Sequence, residues 1–110
     1  MAGFQVVKDG SVVIVKISGE MDAHTAPQLD KVLKEAASQG TKLLLDMAQM
    51  SYIATAALGV LMANHNTLKT KGGKIVIANM QEKIKKVFDT MGFSKVFPVA
   101  SSIEEAKKLL

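Results

Sequence analysis

Between Lys42 and Leu68 the hydrophobic pattern changes its period, and that change restricts what the chain can fold into. Lys42-Leu43-Leu44-Leu45-Asp46 is a continuous apolar run ending in a carboxylate, the pattern of a strand buried on both faces. After Thr55 the spacing becomes Leu58, Leu61, Met62, His65 and Leu68, one face of a helix. Thr55 falls where a strand-loop segment turns into that helix, so its hydroxyl is placed to cap it. Ala54, Ala56, Ala57 and Gly59 surround it, and nothing bulky covers the helix N-terminus. A hydroxyl there is either a cap or a site where something is done to a hydroxyl.

The rest of the chain alternates in the same way. Phe4-Gln5-Val6-Val7-Lys8 and Val12-Val13-Ile14-Val15-Lys16-Ile17 are β-branched runs joined by Asp9-Gly10-Ser11, a hairpin signal, and Gly19 is expected to end the second strand. Thr25 and Gln28 form a capping-box pattern with Pro27 in the first turn, and Leu29, Val32, Leu33 and Ala36 make a buried stripe up to Gly40. The third strand is expected over residues 41–47, and the following helix stops at Lys71-Gly72-Gly73.

Lys74-Ile75-Val76-Ile77-Ala78 reads as a fourth strand in a sheet covered on both sides. Asn79 and Glu82 form a second capping-box pair before Ile84, Val87, Phe88 and Met91. Phe93, Val96, Phe97 and Val99 read as a short extended edge piece interrupted by Pro98. A last helix starts at Ser101-Ser102, with Leu109 and Leu110 packing its end. The fold class is therefore α/β: a mixed β-sheet with an N-terminal antiparallel hairpin, then parallel strands, and about four helices.

Composition narrows the function classes. A chain of 110 residues, 48% hydrophobic and 22% charged, reads as one folded domain over 1–110. It has no cysteine, which excludes disulfide staples and thiolate chemistry. No apolar run is long enough to cross a bilayer, and Met1-Ala2-Gly3-Phe4 lacks a signal-peptide pattern, so a cytoplasmic protein without membrane insertion is expected. The net charge of +4 raises the question of nucleic acid, but there is no Arg for bidentate base contacts and only 5% aromatic residues for stacking. A solvated lysine-rich face, or a preference for acidic protein surfaces, is the reading instead.

Function in parallel sheets collects at the carboxyl ends of strands, which places Asp46 and Thr55 at one such end, with Asp22 beside them. Two carboxylates suggest acid-base chemistry, yet no nucleophile accompanies them, so no enzyme is expected. His24 and His65 have no ligand-spaced partners, so neither a metal site nor a cofactor is expected. His65 lies on the apolar stripe and reads as a core or boundary residue. Met47, Met50 and Met62 near the Thr55 segment are candidates for an adaptable binding face, although most are expected in the core.

The motifs Gly19-Glu20-Met21-Asp22, His24-Thr25-Ala26, Leu43-Leu44-Leu45-Asp46, Ser51-Tyr52-Ile53, Leu58-Gly59-Val60-Leu61, Gly72-Gly73-Lys74, Phe88-Asp89-Thr90-Met91-Gly92-Phe93 and Val96-Phe97 occur in order along the chain. Together they resemble a STAS domain, the fold of the bacterial anti-sigma factor antagonists and, more distantly, of the cytoplasmic tails of sulfate transporters. The resemblance implies a regulatory protein that binds an anti-sigma factor which is also a serine kinase. Phosphorylation of a hydroxyl in an Asp-Ser-x-Gly-Leu-Gly motif then ends the binding, and a phosphatase resets it. Carried over by position, Thr55 is the phosphorylation site. Asp22, His24, Asp46, Tyr52, Ile53, Ala54, Ala56, Ala57 and Leu58 are the partner-binding residues.

This sequence departs from the motif: Thr55 stands for the Ser, Ala54 for the Asp and Ala57 for the Gly. Thr keeps a hydroxyl but is β-branched and stiffer. The alternative is a constitutive STAS interaction module, a signalling scaffold or an ABC-transporter accessory subunit, with Thr55 a helix cap. The oligomeric state stays open, and a monomer is compatible with one docking face.

Overall fold

The computed structural model describes residues 2–110. The chain runs β1 (Gly3–Asp9), β2 (Val12–Met21), α1 (Ala26–Gln39), β3 (Lys42–Ile53), α2 (Thr55–Thr70), β4 (Lys74–Ala78), α3 (Glu82–Thr90), a 3₁₀ turn (Phe93–Lys95), β5 (Val99–Ala100) and α4 (Ile103–Lys108). One sheet holds the strands in chain order, β1-β2-β3-β4-β5. β1 and β2 are antiparallel and the other pairs are parallel, so the mixed α/β architecture expected from the pattern is the observed one.

Side-chain alternation explains the continuous apolar runs. Val13, Val15, Ile17, Leu43, Leu45, Met47, Ile75 and Ile77 point to one face, where α1 (Leu29, Leu33, Ala36), α2 (Leu58, Leu61, Leu68) and α3 (Ile84, Phe88) cover them. Val12, Ile14, Leu44, Val76, Ala78 and Ala100 point to the other face, under Ala106 of α4 with Ile103 and Leu110 packed against them. Each fully buried Leu contributes about 1.5–3 kcal/mol relative to leaving it exposed. Both faces are apolar because both carry helices. The first is covered broadly and the second by a single short helix.

The hairpin forms as expected. Asp9 pairs with Val12, and Gly10 takes φ +62°, the left-handed conformation a two-residue turn requires. Other expectations need correction. Gly19 does not end β2; the strand continues to Met21 through register shifts at Lys16/Ser18 and at Gly19/Glu20, with Gly19 at φ +84°. β3 runs past Met47 to Ile53 because β2 stays alongside it, pairing Met21 with Ile53. The bulges break the two-residue period: Met47, Met50 and Ile53 are all buried although they are spaced by three. Residues 93–98 are not extended. A 3₁₀ turn occupies the start, and the edge strand is only Val99–Ala100 after Pro98.

The caps also differ. Thr25 sits at the N-cap of α1 without a side-chain capping bond, so the capping box with Gln28 does not form. The N-cap of α3 is Gln81, not Asn79; Asn79 takes φ +63° at the exit from β4. Only Ser102 caps as its type suggests, its Oγ accepting the Glu105 N–H at 3.1 Å. α2 stops where the glycines lie, with the Gly73 N–H donating to the Leu68 carbonyl at 2.8 Å.

Candidate functional site at the start of the second helix

The long β2–β3 pair carries two loops to the same end of the molecule. The Ala54 N–H donates to the Met21 carbonyl at 2.8 Å, which locks the β3–α2 junction against the β2–α1 loop. Asp22 is the next residue of that loop. Its Oδ1 accepts the backbone N–H groups of His24 (2.9 Å) and Thr25 (3.0 Å). The Thr25 hydroxyl accepts the Asp22 N–H at 2.9 Å and donates to the Glu20 carbonyl at 2.9 Å. That is why Thr25 caps nothing: its hydroxyl ties the loop instead. The Thr25 N–H above all holds the Asp22 carboxyl below its ordinary value; desolvation opposes it, and the His24 N–H adds a lesser lowering effect.

Thr55 is the first residue of α2 and is exposed, while the N-cap position belongs to Ala54, in extended conformation and without a side-chain acceptor. The expectation that Thr55 caps its helix is therefore corrected: it sits one residue too far along. α2 begins with no side-chain cap and no acidic residue in its first turn. Its orphan N–H groups carry a partial positive charge that no acidic residue of that turn offsets.

Around Thr55 the exposed residues are Ala56, Tyr52 (50% exposed), Ser51, Gly59 and His24. Ile53, Ala57 and Leu58 are core residues at 4%, 0% and 2% exposure, so as surface contacts they are corrected; they anchor the segment from below. Ala57, at the position of the motif's Gly, is a fully buried residue of the first turn of α2. Met47 and Met50 are likewise fully buried and are not part of a binding face.

Asp46 does not join this cluster. It lies inside β3, paired with Lys16 and Ala78, and the strand runs on to Ile53, roughly 20 Å further along. Its Oδ1 accepts the Ala48 N–H and the Asn79 Nδ2–H, both at 3.1 Å. The sequence placed it at a strand end because the apolar run stops there; what stops is the β4 pairing, not β3. Sequence reasoning named Gly59 as a small neighbour of Thr55 but left it out of the contact residues; it is an exposed glycine inside α2 where an added Cβ would meet no atom within 4 Å. Its position on the polar side of the Leu58–Leu61–Leu68 stripe was a signal that could have found it.

Among the described residues no group of three or more His, Cys, Asp or Glu side chains is arranged to hold a metal ion, and no helix is long and apolar enough to cross a membrane. The site offers an exposed surface and a hydroxyl.

The STAS domain model matches residues 3–106. The chain belongs to the STAS domain family. An anti-sigma-B factor antagonist of Bacillus subtilis is 30% identical over 90 residues, covering 82% of this chain and 83% of that protein. The crystal structure of an anti-sigma factor antagonist from Mycobacterium paratuberculosis superposes with a TM-score of 0.89 at 22% identity, covering 99% of this chain and 93% of the other. The Bacillus cell fate determinant SpoIIAA in its phosphorylated form matches with a TM-score of 0.74 at 20% identity, covering 96% of this chain and 97% of that one. The resemblance to anti-sigma factor antagonists drawn from the motifs is borne out, and the STAS fold is shared across these neighbours.

Proposed function

We propose that this STAS protein is a cytoplasmic anti-sigma factor antagonist that docks on an anti-sigma factor with serine-kinase activity, and that phosphorylation of Thr55 ends the docking until a phosphatase reverses it. The observation that carries this is the setting of Thr55, an exposed hydroxyl at the start of an uncapped helix beside the Asp22 loop. A phosphate there adds about −1.5 to −2 charges to a small, nearly neutral face. It gains from the uncapped N–H groups of α2 and becomes costly to bury against a fitted partner. Asp22, His24, Tyr52, Ala54 and Ala56 form the docking face around it in this reading, and Asp46 lies outside it.

The departure at Ala54 favours a second reading, a constitutive STAS module, because the carboxylate that precedes the acceptor in the family motif is absent. Affinity capture from the source cells with wild type, Thr55→Ala and Thr55→Glu separates the two. Under the switch, an ATP-binding kinase-like protein comes down with wild type and Thr55→Ala and is lost with Thr55→Glu. Equal capture by all three overturns the switch and leaves a constitutive adaptor.

A further inference from the structure

The helices that follow β4 and β5 leave the sheet on opposite sides. α3 packs Ile84 and Phe88 on the broadly covered face, whereas α4 packs Ala106 on the other. Adjacent parallel strands whose continuations diverge in this way open a crevice at their carboxyl ends, the place where open α/β sheets take ligands. Here the crevice is a cavity of about 600 Å³, within the range of small-molecule sites. It is separate from the Thr55 face.

Its floor is fixed by a polar network across the strand ends. The Asn79 N–H donates to the Ala100 carbonyl at 3.2 Å and its Nδ2 to Asp46 Oδ1 at 3.1 Å. The Gln81 Nε2 donates to the Ala48 carbonyl at 3.0 Å, standing in for the strand partner that β4 no longer provides. This network accounts for Asp46 and for the left-handed Asn79, neither of which the Thr55 site uses.

The walls carry opposite charges. Glu82 and Lys85 line the cavity from α3, and Glu105 lines it from α4. Among the described residues the ion pairs are Lys34–Asp30 and Lys107–Asp9, so Lys85 and Glu82 keep their charges uncommitted although they share one cavity. Glu105 accepts the Ser101 N–H at 3.4 Å and the Ser101 hydroxyl at 3.0 Å, which leaves further lone pairs on its carboxylate. Met80 and Val99 supply apolar lining between these groups. One ammonium and two carboxylates beside apolar side chains complement a ligand with both charges and an aliphatic body.

We propose that this crevice binds a small zwitterionic amino acid with an aliphatic side chain, its ammonium held by Glu82 and Glu105, its carboxylate by Lys85 and its side chain by Met80 and Val99. The site belongs to the isolated protein and does not depend on the Thr55 reading.

The test is titration of the ¹⁵N-labelled full chain with L-leucine, followed by amide shifts, with N-acetyl-L-leucine and isoamylamine as analogues lacking one charge each. Saturable shifts confined to residues 78–85 and 99–105 are expected. Binding should weaken at least tenfold for either analogue, and likewise in Lys85→Ala and Glu105→Gln, with the dispersion of each variant's spectrum confirming its fold. No saturable shift, shifts centred elsewhere, or equal binding of the analogues would overturn the proposal. Undiminished binding in both variants would do the same.

Discussion

Asn64 shows how one polar side chain can decide the fit of two helices. It is 5% exposed, on α2, and its Nδ2 donates to Asp30 Oδ1 on α1 and to the Val60 carbonyl, both at 2.9 Å. Replacing that donor by a carboxylate sets two acceptors against each other in a buried place. Asn64→Asp should cost about 2–3 kcal/mol in urea unfolding at neutral pH, and Asn64→Ala less. His65, the next residue, stacks edge-on against Phe97 with ring centroids 5.2 Å apart. Burial, with Lys69 one turn on, holds it below its ordinary value of 6.5. The unfolded chain therefore takes up that proton at a higher pH than the folded one. The stability His65 contributes is full above 6.5 and is lost as pH falls through its lowered folded value. Melts at about pH 7.5 and about pH 5 should show a larger acid loss for wild type than for His65→Phe. An equal loss in both would refute the assignment.

Helix α2 is where sequence and structure differ most at the level of elements. The change of period located the helix, because Leu58, Leu61 and Leu68 must face one way. It did not locate the first residue, since a cap is set by backbone conformation that Ala54 and Thr55 share no sequence signal for. Ala54→Asp should give α2 the acceptor it lacks and raise stability by about 0.5–2 kcal/mol. Gly59→Ala should add about 0.5–1 kcal/mol, since helical glycine is costly and nothing in this chain needs the space. Thermal melts check both. If Thr55 is the switch, Gly59→Ala should also weaken partner capture while strengthening the fold. The limits of β3 were illegible for a related reason: the bulges opposite Gly19 desynchronise the alternation that marks a strand. Asp22 could be placed beside Thr55 from topology alone, whereas Asp46 could not, because the apolar run ends before its strand does.

For the whole molecule the weak point is the second face of the sheet. Three helices cover one side, whereas among the described residues the short α4 and Leu110 just beyond it cover Ile14, Leu44 and Val76 on the other. Ala106 is fully buried there, and Lys107 pairs with Asp9 at the β1–β2 turn to hold the helix across the sheet. Ala106→Asp should cost about 2–4 kcal/mol and expose an apolar sheet surface, seen as dye binding and loss of monodispersity. A Lys107→Ala change, at an exposed pair, should stay within about 1 kcal/mol.

The sheet lists its strands in the order in which they occur along the chain. Each strand leaving the ribosome therefore meets a neighbour that is already in place, and no late segment has to insert between two earlier ones. Assembly is additive from the N-terminal hairpin, and α4, which follows all five strands, is the element that shuts the second face. Until α4 emerges, Leu44 and Val76 stay open to water, so the nascent chain is most at risk between the completion of β4 and the emergence of α4.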